Sequence, residues 1–244
     1  MDGPELQQRY QQGQRDFRGL DLTGASLAHA NLTDIDLSGA ILIGADLGLA
    51  TLERAEMVGT ELSGACLRGA HLQWANLGGA SLCGADLAYT DLRGIHAIKA
   101  IFMGTNLTQA DLQEANLAWA NLVRADLQGA NLATANLNWA DLTEVTLSEA
   151  RLDAANLDLA TLNWADLSRT SLSRASLSRA QLLWANLCQA DLSRANLQRA
   201  DLGHINLEQA NLREASLEGA KLQGDELLGA RLWRTVLPNG QLSA

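Results

Sequence analysis

Leucine recurs at every fifth residue of this 244-residue chain, in one unbroken frame from residue 17 to residue 237. Leucine occupies 41 of the 45 positions in that frame. The four exceptions are Phe17, Met57, Ala97 and Phe102. Two residues before most positions of this frame lies a small residue, usually Ala, and a polar residue such as Asp or Asn stands between the two. The repeat unit is therefore A-(D/N)-L-x-x.

A spacing of five fits neither regular secondary structure. On an α-helix, at about 100° per residue, successive leucines would spiral around the axis and form no apolar face. On a straight strand, an odd spacing would send alternate leucines to opposite sides of the sheet. Within one unit, however, Ala and Leu are two residues apart and share one side, as in a very short strand. If the chain turns by about a right angle after each unit, four units close a coil with every Ala and Leu inside.

The A-(D/N)-L-x-x array resembles the pentapeptide-repeat family over residues 17–237. The resemblance implies an all-β solenoid, a right-handed quadrilateral β-helix, which periodicity by itself would not fix. With a strand spacing of about 4.8 Å, about eleven coils would form a rod on the order of 50 Å long. We expect an N-terminal helical cap at 1–16, the β-helix at 17–237 and a C-terminal tail at 238–244.

The segments at both ends of the array are suited to covering the open edges of a solenoid. Residues 4–12 are predicted to form a short helix with Leu6 and Tyr10 on one face, fit to cover the first coil. At the other end, residues 237–240 carry a turn signal. Both segments are similar to those of cyanobacterial members of the family, which implies a regulatory role in a cyanobacterium.

Two positions break the pattern inside the coils. Ala97 puts a small side chain where Leu belongs, a truncation that would cost about 2–5 kcal/mol in a packed core. Ile95 and Phe102 are larger than the usual residues at their positions, so we expect the volume to be redistributed. Asp225 puts a carboxylate at an inward position, where we expect the last coil to fray rather than to bind a ligand.

The repeat array contains no constellation that predicts a catalytic residue, a metal ligand or a cofactor site. The four histidines lie on four different columns of the coil and on distant coils, so they cannot form a cluster. They are His29, His71, His96 and His204. Asn116, Asn136 and Asn156 follow each other at intervals of one coil, and we expect amide ladders there. We therefore predict that the protein is not an enzyme and holds no cofactor.

The net charge and the lack of targeting signals restrict the class of binding partner and the expected location. A net charge of −10 disfavours direct nucleic-acid binding, because phosphate contacts need a basic surface. The N-terminus lacks the features of a secretory signal, and no apolar run is long enough to span a membrane. We expect a cytoplasmic protein with no membrane contact. The three cysteines, an odd number without paired spacing, are expected to be free thiols.

Residues twenty apart are stacked neighbours in this arrangement, so the sequence becomes a map of the surface. Trp119, Trp139 and Leu159 share one corner column, and Trp164 and Trp184 share the next. The side between these columns, the Trp face, also carries outward apolar residues: Ile41, Ile43, Ile101, Met103, Val123 and Leu183. Arg124 lies beside them. An apolar patch of this kind is typical of an interaction surface, although tryptophans that merely shield the coil corners remain an alternative.

A second surface feature is a basic collar near the C-terminal end. Arg169, Arg174 and Arg179 stand at successive corners of one coil, and Arg194 and Arg199 stack on the last two. The collar could contact an acidic partner. We favour the simpler interpretation that these arginines pair with carboxylates of neighbouring coils.

The leading functional hypothesis is a non-catalytic protein-interaction or regulatory module that presents the Trp face to another protein. The alternative is mimicry of DNA, as in gyrase-protecting members of the family, because Asp46, Asp86, Asp126 and Asp166 share one outer column. The basic collar speaks against mimicry because it interrupts the acidic surface. We expect a monomer or a weak dimer, with Trp233, Val236 and Leu237 as a possible contact segment.

Overall fold

A computed structural model describes all 244 residues, and its single helix, α1, covers Gly3–Gln11. This is one residue earlier at each end than the sequence predicts. The Asp2 side chain caps α1 by accepting a hydrogen bond from the Glu5 backbone N–H at 2.9 Å. Leu6 is fully buried, and the Tyr10 hydroxyl donates to the Thr33 carbonyl at 2.7 Å. The helix is thereby fixed on the first coil. It is nine residues long, and no helix long and apolar enough to cross a membrane is present.

Single-residue parallel bridges build the rest of the molecule. With one exception, the outward residue between Ala and Leu bridges to the residue twenty positions later, from Asp16↔Asp36 to Ser216↔Val236. The strands are therefore one residue long, and four of them make one coil. The register runs without interruption through the Ala97 unit, where His96 bridges to Asn116. The chain is a right-handed quadrilateral β-helix, as the family resemblance implied.

The corners explain why the two variable positions tolerate many residue types. Each Leu carbonyl accepts a hydrogen bond from the backbone N–H three residues later, as between Leu122 and Ala125 at 3.0 Å. The residue before that Ala has a positive φ, which is the third position of a type II turn. Glycine fits this conformation best, yet many corners carry other residues, including Trp139 with a φ of +61°. Along the regular coils the backbone N–H of such a corner donates to a carbonyl of the next coil, as Trp139 N does to Asp158 O at 3.1 Å.

One continuous apolar core fills the coil from the helix to the last turns. Its members include Ala97, Ile95 and Phe102, all fully buried, in agreement with a redistribution of volume around Ala97. Where Thr replaces the inward Ala, its hydroxyl is buried too, and it donates to a carbonyl of the preceding coil. Thr105 donates to Leu82 O at 2.8 Å, for example. These buried hydroxyls are therefore satisfied, which avoids a penalty of about 1–3 kcal/mol for an unpaired group.

The Asp or Asn of each unit has two structural tasks. Its side-chain oxygen accepts from the backbone N–H two residues later, as Asn136 does from Asn138 at 3.2 Å. An Asn amide also donates to the previous coil, from Asn136 to Asn116 at 3.1 Å and from Asn156 to Asn136 at 3.4 Å. The amide ladder predicted from the sequence is confirmed. In other columns an Asn amide reaches an Asp carboxylate, as between Asn106 and Asp86 at 2.9 Å.

The regular register breaks once, around Asp225. This residue is exposed rather than inward, and the bridge expected from Asn206 to residue 226 is missing. Glu226 takes over the local polar contacts. Its carboxylate accepts hydrogen bonds from the backbone N–H groups of Gln223, Gly224 and His204, at 2.9, 2.7 and 3.2 Å. The coil therefore reorganises around a carboxylate one residue later than the sequence pattern suggests.

Candidate interaction face

The first corner column of the Trp face contains a stack of two indoles. The rings of Trp119 and Trp139 lie with their centroids 4.8 Å apart and their planes 3° from parallel. This distance equals the spacing of stacked strands, so the coil register itself brings the rings into contact. Leu159, the next residue of the column, is only half-exposed. At Leu159 the column thus changes from large exposed rings to a smaller side chain.

The second corner column mixes charge and aromatic groups. At its start the Arg124 guanidinium donates from Nε to the Glu144 carboxylate at 2.7 Å. This contact raises the pKa of Arg124 and lowers the pKa of Glu144, in each case chiefly through the side-chain hydrogen bond. Further along, Trp184 stacks on His204 with ring centroids 4.0 Å apart. Trp164 stacks on no other ring and is 58% exposed.

The outward residues between the columns are of two kinds. Met103 is exposed, as are Ile41, Ile43 and Ile101 nearer the N-terminal end. Val123 and Leu183 are half-buried. On the Trp face, the strongly exposed apolar side chains are therefore the four indoles and a separate group of residues toward the N-terminus. All four indoles are about half exposed.

Every one of these indoles occupies a corner with a positive φ, between +58° for Trp164 and +62° for Trp119. A left-handed conformation costs a residue with a side chain about 1–2 kcal/mol relative to glycine. The corners of the same columns nearer the N-terminus carry glycine instead, for example Gly39 and Gly44. The fold itself does not require indoles at these positions.

The basic collar divides into paired and unpaired arginines. Arg169 approaches the Glu149 carboxylate at 3.6 Å, and Arg194 approaches the Glu214 carboxylate at 3.0 Å. Arg174, Arg179 and Arg199 take part in none of the ion pairs of the molecule. Arg179 and Arg199 lie on the corner column of Trp119 and Trp139, and they line a polar groove that ends at the turn at 238–240. The collar thus adjoins the Trp face.

A second groove on another side of the rod was not anticipated from the sequence. Its apolar walls are Leu49 and Tyr89, which stand one coil to either side of Gly69, while Arg68 lies over the Tyr89 ring at 4.8 Å. The Leu49 side chain leans over Gly69, where a Cβ would collide with it. The interval of twenty residues between these positions was the signal that could have revealed this groove.

No group of three or more histidine, cysteine or carboxylate side chains lies close enough together to hold a metal ion. The histidines lie on separate columns, as the register requires. The cysteines are unpaired and half-buried: Cys66, Cys83 and Cys188.

The four-sided coil, its helical cap and its outward polar ladders define a β-solenoid of the right-handed quadrilateral class. The chain belongs to the pentapeptide-repeat family, because the family model for pentapeptide repeats matches it in eight copies between residues 16 and 224. The resemblance noted from the sequence is thereby confirmed. No curated protein sequence gives a match.

Solved structures of the family include similar proteins. HetL, a pentapeptide repeat protein involved in heterocyst differentiation regulation from the cyanobacterium Nostoc sp. strain PCC 7120, is 36% identical. The alignment covers 100% of both chains with a TM-score of 0.70. Rfr23 from the cyanobacterium Cyanothece 51142 is 36% identical over 43% of this chain and 63% of that one, with a TM-score of 0.20. QnrB1, a plasmid-mediated fluoroquinolone resistance protein, is 21% identical over 86% of this chain and 93% of that one, with a TM-score of 0.40.

Proposed function

We propose that the protein is a non-catalytic interaction module that presents the Trp face to another protein in the cytoplasm, in a regulatory role similar to that of HetL. The observation that carries this proposal is the set of four half-exposed indoles on two adjacent corner columns. Tryptophan is prominent among the residues that dominate binding energy at protein interfaces.

The backbone supports the same interpretation. The indoles occupy left-handed corners that glycine would fill with less strain, so their presence needs a reason other than folding. The alternative reason, shielding of the corners, is weak because the rings leave about half of their own surface exposed. Residues held in strained conformations cluster at functional sites.

Whole-chain similarity to HetL supports a regulatory setting, since the two chains align over their full lengths. Interaction with a protein partner, rather than catalysis, is favoured by a rod whose surface brings together no cluster of histidine, cysteine and carboxylate side chains that could hold a metal ion. Half-buried free thiols fit a reducing compartment such as the cytoplasm.

The test replaces Trp139 and Trp164 with glycine, the residue that their positive φ values favour. We expect the double variant to stay folded and to unfold at a temperature no lower than that of the unaltered chain, because glycine relieves the left-handed strain at both corners. It should lose a host protein that the unaltered chain captures reproducibly. Trp74→Gly is the matched control, because Trp74 occupies an equivalent corner with a φ of +62° on another side of the rod. Capture that survives the double replacement would exclude the Trp face as the binding surface.

Mimicry of DNA, the alternative function, depends on the acidic column of Asp46, Asp86, Asp126 and Asp166. The Asp86 carboxylate accepts the Asn106 amide at 2.9 Å and lies 3.7 Å from Arg68. Asp166 likewise accepts the Asn186 amide at 3.0 Å. Because these carboxylates are partly satisfied within the rod, we rank mimicry second. Inhibition of gyrase supercoiling that disappears in Asp86→Asn with Asp126→Asn would reverse this ranking.

A further inference from the structure

The first corner column of the Trp face contains two kinds of group that lack a partner within the molecule. Arg179 and Arg199 belong to no ion pair, although most arginines of the rod have a carboxylate neighbour. The stacked indoles of Trp119 and Trp139 have no cation over them. The cation–π contacts within the molecule involve the rings of Tyr10, Tyr89 and Trp233 instead. Arginine over an indole is the most favourable pairing of this type.

The spacing of these groups is symmetric about Leu159. Trp139 lies one coil before Leu159 and Arg179 one coil after it, while Trp119 and Arg199 lie two coils before and after. Consider a two-fold axis that lies in the plane of the Trp face and runs across it at the level of Leu159, perpendicular to the long axis of the rod. This axis would place each of these indoles of one molecule opposite an arginine of another.

We propose that the Trp face binds a second copy of this chain, face to face and antiparallel, about such an axis. In this dimer Trp139 of each copy meets Arg179 of the other, and Trp119 meets Arg199. The four contacts satisfy the cations and the rings that remain unpaired in the single chain. An interface of this kind is isologous, since the same patch serves both copies.

The middle of the Trp face in one copy is also complementary to that of the second copy related by the two-fold axis. The axis passes at Thr161, one coil away from Asp141 on one side and Gln181 on the other. Asp141 therefore faces Gln181 of the second copy, and two coils out Asn121 faces Asp201. Each carboxylate of these rows opposes an amide, which can donate a hydrogen bond to it. No carboxylate opposes another there, although each molecule carries a net charge of −10.

The second corner column is compatible with the axis. Trp164, the indole without a stacking partner and the most exposed of the four, meets Trp164 of the second copy at the axis. Glu144 faces Trp184, and Arg124 faces His204. The charge of Arg124 is already matched by Glu144 within its own chain, at 2.7 Å.

This inference deepens the proposed function, because it names an occupant for the same face. A host partner that uses the Trp face would have to displace the second copy, so self-association would hold the binding surface in reserve. The two proposals remain separable, since self-association is measured on the purified chain and partner capture in the host.

The first experiment is sedimentation equilibrium of the purified full chain over a range of concentrations. We expect reversible dimerisation that Trp139→Arg weakens by about tenfold or more, because an arginine would then face Arg179 of the other copy. Adding Arg179→Trp to that variant restores the complementary pair, and we expect the dissociation constant to return close to its original value. Both corners have similar positive φ values, +61° and +58°, so each accepts the residue of the other.

Arg174→Trp is the matched control, because Arg174 also lies outside every ion pair and occupies an equivalent left-handed corner, with a φ of +59°, that does not border the Trp face. Its dissociation constant should not change. A protein that remains monomeric at all concentrations, or a double variant as weak as Trp139→Arg alone, would overturn the antiparallel pairing. Host capture that persists in a monomeric protein would leave the proposed function intact.

A cross-linking experiment locates the axis independently. In a chain whose native cysteines are replaced by serine, Thr161→Cys should form a disulfide-linked dimer on mild oxidation, since both copies place this residue at the axis. Ile41→Cys, six coils away on the same face, should not. Equal cross-linking at both positions would contradict the proposed geometry.

Discussion

The indoles of Trp119 and Trp139 lie parallel within 3° at a centroid distance of 4.8 Å, one strand spacing apart. Transition dipoles of parallel stacked rings couple, so we expect the two indoles to absorb less far-UV light than two separate indoles would. Trp119→Gly or Trp139→Gly should therefore lower the far-UV absorbance by less than the share of one separate indole, whereas Trp164→Gly should lower it by a full share, because Trp164 stacks on no other ring. Loss of a full share in Trp139→Gly would mean that the two rings are not coupled.

Adjacent alanines at one corner should respond in opposite directions to the same substitution. Ala154 is exposed and has a φ of +56°, so Ala154→Gly should raise the free energy of unfolding by about 1 kcal/mol. Ala155 is buried, and Ala155→Gly should lower this free energy by about 1–2 kcal/mol through the lost methyl group and the added chain entropy. Urea unfolding of the two variants measures both values. Equal destabilisation would refute the role assigned to the left-handed corner.

The volumes of Ala97 and Phe102 should be coupled. Ala97→Leu alone should overpack the coil, and Phe102→Leu alone should leave a void, each at about 1–3 kcal/mol. Together they restore the consensus of the repeat, so the double variant should be destabilised by less than the sum of the single changes. Thermal unfolding of the three variants completes the cycle. Strict additivity would show that the two sites pack independently.

Acid should loosen the irregular coil around Glu226 before the rest of the rod. Partial burial would raise the pKa of the Glu226 carboxyl, but hydrogen bonds from the backbone N–H groups of Gln223, Gly224 and His204 outweigh it and hold this pKa below 4.5. Because the folded pKa is lowered, the carboxylate's contribution to stability is complete above the unfolded pKa and is lost as the pH falls through the folded value.

The Gly224 and His204 amides should therefore lose protection against hydrogen exchange in acid, when the measured rate is compared with the intrinsic rate at the same pH. Glu226→Gln should show the fast exchange already at neutral pH, while Glu218→Gln, on a regular coil, should not. Identical protection in Glu226→Gln and the unaltered chain would remove this role from the carboxylate.

The regular part of the fold followed from the sequence because every fifth position obeys one rule. Because the array has no insertion, the number of a residue determines its column. Asn116, Asn136 and Asn156 form the amide ladder that their spacing of twenty residues predicts. The sequence predicted a departure from the regular coil at Asp225 but not its form. Asp225 occupies the inward position of the pattern, whereas the Glu226 carboxylate accepts hydrogen bonds from three backbone N–H groups, and the coil is reorganised around Glu226.

The candidate site was predictable only to the level of columns. Trp164 and Trp184 share a column, as expected, yet Trp184 stacks on His204 and Trp164 stays unstacked. Side-chain rotamers decide that choice, and the spacing of residues carries no information about them. The difference between paired Arg194 and unpaired Arg199, by contrast, could be predicted from the spacing, because Glu214 lies twenty residues after Arg194 whereas Gly219 lies twenty residues after Arg199.

The left-handed corners affect how the surface of such a rod evolves by substitution. Because backbone hydrogen bonds to the next coil hold each corner of the regular coils, its outward side chain can be exchanged without repacking the core behind it. Corner side chains also lean toward the following coil, as Trp74 does over Gly94, where a Cβ would meet the indole. Substitutions on this surface should therefore be accepted in pairs twenty residues apart, and a new binding surface can arise one column at a time while the leucines behind it stay the same.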